Sequence, residues 1–444
     1  MIRIANGQGF WGDWLEAPVR LVEQGPIDYL ALDYLAEVTM SILQKQRQAD
    51  ANLGYARDFP PLVARLAARI RERGITVIAN AGGVNPVACA REVVRLAPGL
   101  KVAVVLGDDV YGRIDEFLAK GYELRDMDTG EPIAAIRGRI LSANAYIGAF
   151  PLVEALATGA QVVIAGRCTD TALTLAPMVH RFGWQPDDFD KLAAGTIAGH
   201  IIECGAQCSG GNCQVDWQNI PDMANVGYPM VEAEPDGSFT VTKHAAAGGR
   251  VNIHTVKEQL LYELGDPKNY ITPDCVADFT SIRLDDAGPD RVRVSGIRGG
   301  ARPPSLKLSI SYANGWKAVG TLVYSWPQAL EKARAADRVV RRRLLDLGLA
   351  FDEIYTEYFG VNACLGPVAP PNGDPPEVQL RIGVRGADKK SVDRFTRELI
   401  PLVLNGPPGA TGFGEGRPPV REIVAYWPAL VPREEIATRV EVVE

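Results

Sequence analysis

Long apolar runs are missing from this chain of 444 residues. None reaches the ~18 residues a membrane-spanning helix needs. The N-terminus enters a strand-like segment at once, with no charged region and apolar stretch of a secretory signal. The expectation is a cytoplasmic protein with no membrane contact. Basic clusters are scarce too. The formal net charge is -7, and the one dense run, Arg338 with Arg341, Arg342 and Arg343, reads as a solvated helix face. A nucleic-acid or polyanion partner is therefore not expected. The seven cysteines are an odd number set mostly in apolar or glycine-rich stretches. They read as small, reduced, buried side chains. The chain has no G-x-S-x-G elbow, P-loop, H-E-x-x-H or kinase signature, which excludes serine hydrolases, ATPases and zinc proteases in their familiar forms. There is no internal repeat and no low-complexity tract.

What is present is a recurring pattern. Apolar runs at 2–5, 29–32, 75–79, 102–106 and 162–165 each enter a short loop of Gly, Asn and Asp. Unbroken apolar runs are the mark of parallel strands buried on both faces, and helical patterns fall at 61–73, 86–96, 113–120, 147–158, 171–182 and 188–203. Pro86 suits a helix's first turn. Open α/β sheets bind ligands at the carboxyl edge of their strands, where these loops would lie. Segment 121–140 is polar and turn-rich and reads as a hairpin at the sheet edge. After Tyr228 the pattern alternates, with half-exposed strands at 238–243, 277–284, 291–296, 306–313, 378–385 and 420–427. Helices are expected at 326–347 and 388–404. The fold class is α/β: an N-terminal, mostly parallel sheet with flanking helices over 1–230, followed by a smaller α+β domain over 231–444 that closes a cleft.

The loops carry the chemistry. Gly7, Gly9 and Gly12 have the G-x-G-x-x-G spacing of a dinucleotide site, with Asp33 where a ribose-binding acid would be. Phe10 and Trp11 would crowd a pyrophosphate, however, and Asp13 would cap the following helix. The same loop could line a substrate site through Gly9 and Phe10. Asp33 and Glu37 flank the end of the second strand and suit acid–base work or a hard cation such as Mg2+. Glu37 could equally serve a helix start. Asn80, Gly82 and Gly83 offer an amide and bare backbone to a carbonyl or phosphate, or form a plain turn. Arg167 suits a carboxylate. Cys168 beside it, near a helix N-terminus, would have a lowered pKa, and Asp170 is a further acid–base candidate or a helix cap. Asp108 and Asp109 could add metal ligands or be merely solvated. His200, Glu203 and Cys204 share one helical face, with Cys208 and Cys213 following. This group matches no standard zinc spacing, and His200 and Glu203 read as side chains pointing into the cleft. Lys243, Gly248 and Gly249 could hold an anionic group from the second domain.

Several of these strings together resemble the acyclic terpene utilisation A protein family. They are GQGFWGD at 7–13, DYLAEVTM at 33–40, NAGGVNP at 80–86, ANAYIGA at 143–149, GRCTD at 166–170, GHIIECG at 199–205, GYP at 227–229, LYELGDP at 261–267 and YITPD at 270–274. The resemblance spans nearly the whole chain. It implies bacterial catabolism of branched terpenoid acids, often handled as coenzyme A thioesters, and some relatives carry an extra ferredoxin-like domain. A separate small ferredoxin-like subunit, and self-association into a homo-oligomer, are therefore expected partners. The leading expectation is a hydratase, dehydratase or C–C lyase. In it Asp33, Glu37, Asp170, His200 and Glu203 would be catalytic, and Gly9, Phe10, Asn80, Gly82, Gly83, Arg167, Cys168, Lys243, Gly248 and Gly249 would bind substrate. A non-catalytic subunit or ligand carrier is the alternative, and an NAD(P)-binding oxidoreductase the third.

Overall fold

The computed structural model describes residues 1–370, 373–412, 414 and 416–443, with the backbone but not the side chain of Glu37. In chain order the first elements are β1 (Ile2–Asn6), α1 (Glu16–Gln24), β2 (Tyr29–Leu32), α2 (Glu37–Ala49), α3 (Phe59–Arg73), β3 (Thr76–Ala79) and α4 (Pro86–Leu96). Next are β4 (Val102–Leu106), α5 (Ile114–Ala119), β5 (Ile140–Ala145), α6 (Phe150–Ala157), β6 (Val162–Ala165), α7 (Ala172–Phe182) and α8 (Phe189–Ile202). They are followed by β7 (Pro229–Ala233), β8 (Phe239–Lys243), α9 (Ile253–Leu261), β9 (Tyr270–Ile271), β10 (Val276–Asp278), β11 (Arg283–Asp286), β12 (Arg291–Ser295) and β13 (Arg298–Gly300). The chain ends with β14 (Ser305–Ser325), α10 (Ala329–Asp346), β15 (Glu353–Phe359), β16 (Glu377–Gly386), α11 (Lys389–Phe395), α12 (Leu402–Asn405), β17 (Arg421–Pro432) and β18 (Arg439–Val443).

Two compact units result: Met1–Ser311 with Tyr426–Glu444, and Tyr312–Ala425. Among the described residues the first is built on a ten-stranded sheet, β11-β12-β8-β7-β1-β2-β3-β6-β4-β18. Its centre, β1-β2-β3-β6-β4, is parallel. A wing of β7, β8, β12 and β11 continues antiparallel beyond β1, and β18 pairs antiparallel with β4. Side chains alternate between the two faces of a strand. Ile4, Ala31, Ile78, Val105 and Val163 pack with α6, α7 and α8. Ala5, Leu30, Val77, Val104 and Val162 pack with α1, α2, α3 and α4. Both faces are covered, which is why β2, β4 and β6 read as unbroken apolar runs; β1 is interrupted by Arg3, which pairs with Glu232.

The chain leaves β3 for the face of α4 and leaves the neighbouring β6 for the opposite face of α7. The loops after these two strands part in opposite directions, and that crevice is the topological switch point where α/β sheets bind ligands. Gly82 sits on its floor. Its N–H donates to the Ala165 carbonyl at 3.0 Å.

In the second unit the sheet β15-β16-β14-β17 packs one face against α10 and α11. Strand β16 alternates buried Val378, Leu380, Ile382 and Val384 with outward residues, the period-two pattern of a half-covered antiparallel sheet. No described helix is long and apolar enough to cross a membrane.

The mixed α/β architecture is as expected, but details differ, and the strand expected at 277–284 is two short strands, β10 and β11, with a turn of 3-10 helix between them. Residue 230, where a boundary was expected, lies in β7, inside the large sheet. Segment 121–140 has no regular strands before β5: its arms pair only loosely, Asp126 N–H to the Glu131 carbonyl at 2.9 Å and Ile133 N–H to that of Glu123 at 3.1 Å, and short turns of 3-10 helix follow. The helix expected at 388–404 breaks into α11 and α12, with Pro401 capping the second. Strand β14 runs through Gly315, whose φ is 85° and whose missing side chain leaves room for the Gly386 carbonyl.

A Cβ at residue 82 would lie 2.5 Å from the Cβ of Pro86 and 2.6 Å from the Ala165 carbonyl oxygen. Gly82→Ala is therefore expected to destabilise the fold by ~1–3 kcal/mol, the range for forced overpacking, read by urea denaturation. A change under ~0.5 kcal/mol, the level of an indifferent surface substitution, would show that the crevice floor is not close-packed.

Candidate active site

Three loops converge at the switch point. At the end of β2, the Asp33 N–H donates to the Gln8 carbonyl at 3.0 Å, tying the second loop to the first. Asn80, just past β3, donates its amide to Asp33 Oδ1 at 2.6 Å, and its own side-chain oxygen accepts the Tyr34 N–H at 2.7 Å. Beyond β6 the Arg167 N–H donates to Asp108 Oδ2 at 2.7 Å. The Arg167 guanidinium donates to the Leu35 carbonyl and to Asp170 Oδ1, the latter at 3.1 Å. It lies 4.3 Å from the centre of the Tyr146 ring. The end of α8 reaches the same edge because Asn6 donates its amide to the carbonyls of Ile202 at 2.7 Å and Glu203 at 2.5 Å. His200 Nδ1 then lies 3.2 Å from Glu203 Oε1, while Glu203 Oε2 is buried with no hydrogen-bond partner among the described residues.

Around these groups is a cavity of about 510 Å³, lined by the carboxylates of Asp13, Asp33, Asp170, Glu203 and Glu263 with one described cation, Arg167. Its volume is that of a small-molecule site. Burial raises the Asp33 carboxyl well above the usual range. The Asp170 charge raises it further, and Arg167 and the Asn80 hydrogen bond only partly oppose this. Burial pushes Glu203 up to about 7 against the pull of His200. His200 itself is raised: burial disfavours its charge, but the Glu203 hydrogen bond and charge prevail. Beneath the cavity Asp108 is pushed up to about 7, by burial first. Near neutral pH this site can therefore both give and take protons.

A second cavity, of about 420 Å³, shares Arg167 and Asp170 as walls with the first. Its lining is largely apolar, with Tyr270, Ile271, Pro303, Leu306 and Leu430, and it contains Lys307.

Of the residues singled out in the sequence, Gly9, Phe10, Asp33, Arg167, Asp170 and Glu203 meet in the first cavity, with His200 buried behind Glu203. Glu37 opens α2, and its side chain is outside the described residues. Asn80, Gly82 and Gly83 are buried beneath the site and line neither cavity; Asn80 positions Asp33 instead. Cys168 is not the activated thiol expected. It is fully buried, and burial plus the charges of Asp33 and Asp170 raise its pKa well above the usual value, outweighing Arg167. Lys243 does not close a cleft from another domain. It ends a strand of the same sheet, pairs with Asp290 at 3.1 Å and donates to the Ala247 carbonyl at 2.9 Å. Gly248 and Gly249 pack beside it, away from the carboxylates, with Gly249 on a separate hollow. Neither Asp13 nor Asp170 caps a helix. Asp13 closes the first loop, accepting the Gly9 N–H at 2.9 Å, the Trp14 N–H at 2.7 Å and the Tyr228 hydroxyl at 2.5 Å. Among the described residues no three His, Cys, Asp or Glu side chains are arranged to hold one metal ion. The glycines of the first loop serve packing, Gly7 against Pro18 and Gly9 against the backbone of Cys204, and the acidic lining repels a pyrophosphate. Glu263 and Lys307 were not singled out as site residues: Glu263 lies in the string LYELGDP just after a helix, not after a buried strand, and Lys307 lies inside the strand expected at 306–313.

The fold and site define an α/β protein with a carboxylate-rich cavity at its switch point. The sequence profile of the acyclic terpene utilisation family protein AtuA matches residues 2–442, and the chain belongs to that family. The family's role is in acyclic terpene utilisation, a catabolic process. Comparison with curated proteins and with solved structures gives no significant match.

The raised carboxyls fix how stability depends on pH. A carboxyl whose pKa is higher folded than unfolded binds more protons in the native state between those two values, so stability falls as pH rises through that window. With Glu203 and Asp108 at about 7, the thermal midpoint is expected to decline from about pH 4, where unfolded carboxyls ionise, through about pH 7. Glu203→Gln and Asp108→Asn should each flatten the slope. A midpoint that climbs over this window would contradict the assigned burial.

Proposed function

We propose that the protein is an acid–base enzyme of acyclic terpenoid catabolism, adding water to or removing it from a branched acid or its acyl-coenzyme A thioester. C–C lyase chemistry on the same substrates would draw on the same groups. The observation that carries this reading is Glu203: buried in the cavity, held by His200 through one oxygen, with its other oxygen unpartnered and a pKa near neutrality. Dehydration needs a base to take the proton beside the carbonyl and an acid to protonate the departing hydroxyl. Neutral Glu203 is suited to the acid step. Asp170, partly open to solvent and facing Arg167, is suited to the base step. Asp33, fixed by Asn80, sets the field between them. In hydration the roles exchange. A non-catalytic carrier would keep its acids mutually paired, and the unpartnered Glu203 oxygen speaks for catalysis instead.

The test is hydration of branched 2-enoyl-coenzyme A thioesters of terpenoid and shorter chain length, and dehydration of their 3-hydroxyacyl counterparts, by the purified protein, followed by mass spectrometry. Glu203→Gln is expected to lower kcat by ~100-fold or more, the usual contribution of a positioned general acid, with KM little changed. The wild-type rate should fall as pH rises through about 7, where Glu203 loses its proton. Full activity in Glu203→Gln, or no turnover of any of these thioesters, overturns the proposal.

A further inference from the structure

We propose that Lys307 is the anchor for an anionic group of the ligand, so that the apolar cavity takes an amphipathic aliphatic anion and the carboxylate cavity faces an uncharged part of it. This rests on the reading above for the kind of ligand, but the anchor itself stands on separate observations.

Lys307 lies on β14, and its backbone carbonyl accepts the Tyr146 N–H at 2.9 Å. Its ammonium lies 5.1 Å from the Tyr146 ring centre and 5.4 Å from that of Tyr426. Among the described residues no carboxylate stands within ion-pair distance of it. Aromatic faces stabilise a cation only partly and leave its N–H donors free for an anion. The other cation of this wall, Arg167, is already engaged by Asp170 and the Leu35 carbonyl. Arg433 donates to the Pro303 carbonyl at 3.1 Å, and the buried Asp274 carboxylate stands close to both Arg433 and Arg302, so this pair is already countered. The two cavities thus differ in sign. One has five carboxylates to one cation; the other is apolar with an unneutralised ammonium. An anion is repelled by the first and attracted by the second, while the hydrocarbon body has Ile271, Leu306 and Leu430 to pack against.

The anion could be the carboxylate of a free branched acid or a phosphate of its coenzyme A thioester, and binding calorimetry separates the two. Citronellate, the alcohol citronellol and citronellyl-coenzyme A are titrated into the wild type, Lys307→Met, Lys307→Arg and Glu203→Gln. Citronellate is expected to bind roughly 10- to 100-fold tighter than citronellol, the worth of a charge-assisted hydrogen bond. Lys307→Met should erase that difference, Lys307→Arg should keep most of it, and Glu203→Gln should leave it intact. A Lys307 dependence seen for the thioester alone assigns the anchor to a coenzyme phosphate. Equal binding of acid and alcohol with no Lys307 effect on the thioester overturns the proposal, as does unchanged binding of all three ligands by Lys307→Met. Loss of the Lys307 effect with Glu203 still required for turnover sinks the anchor alone. The reverse result sinks the acid–base reading alone.

Discussion

A guanidinium is buried where the loops of the sheet part to opposite faces, and the site is organised around it. Arg167 is 2% exposed. An arginine cannot shed its proton in a protein, so its charge must be met in place. The Leu35 carbonyl, the Asp170 carboxylate and the Tyr146 ring meet it, and each comes from a different part of the chain. The loop after β2, the loop after β6 and the segment after β5 are thereby held together. Asn80 and Asp108 add a lower tier, fixing Asp33 and the Arg167 backbone from beneath.

One cation does not balance five carboxylates. Burying carboxylates together leaves two outcomes: more counter-charge, or protons taken up. Among the described lining residues the one cation is Arg167, and its first partner is Asp170. Asp33 and Glu203 are left to hold protons, and their raised pKa values follow from burial first and from the neighbouring carboxylates second. The neighbouring cavity has the opposite imbalance, with an ammonium set against two rings. This opposition of sign across a shared wall is what the proposed anchoring of an amphipathic ligand rests on.

Much of the fold was legible because parallel strands buried on both faces have an unmistakable signature. Four of the five central strands announce themselves as largely apolar runs, β1 being interrupted by Arg3, and each ends in a loop whose polar residues then lie at the ligand-binding edge. Asp33, Arg167 and Asp170 could be read directly for that reason, and Glu203 from its place at a helix end. The boundary near 230 was misleading for a physical cause. The alternation at 238–243 does mark an antiparallel strand, but that strand extends the parallel sheet instead of starting a new one, and pairing partners leave no local trace. Lys243 was misplaced for the same reason: Asp290, which neutralises it, comes from a distant turn. Asn80 and Cys168 have the right chemistry at the right edge but point into the interior, and a single sequence does not reveal which side of a loop faces solvent. Lys307 lies in mid-strand, where an alternating charged residue ordinarily means a solvated face.

The feature that suits Glu203 to proton transfer also works against the fold. A carboxyl that stays protonated to neutrality does so because its ionised form is poorly solvated there, so every ionisation near neutral pH weakens the native state. Such strain persists where surrounding structure enforces it, and here Asn6 does so by fixing the end of α8 through two carbonyls. Among the described residues the second oxygen of Glu203 has no hydrogen-bond donor, so in the proposed reaction its partner would be the ligand that enters the cavity.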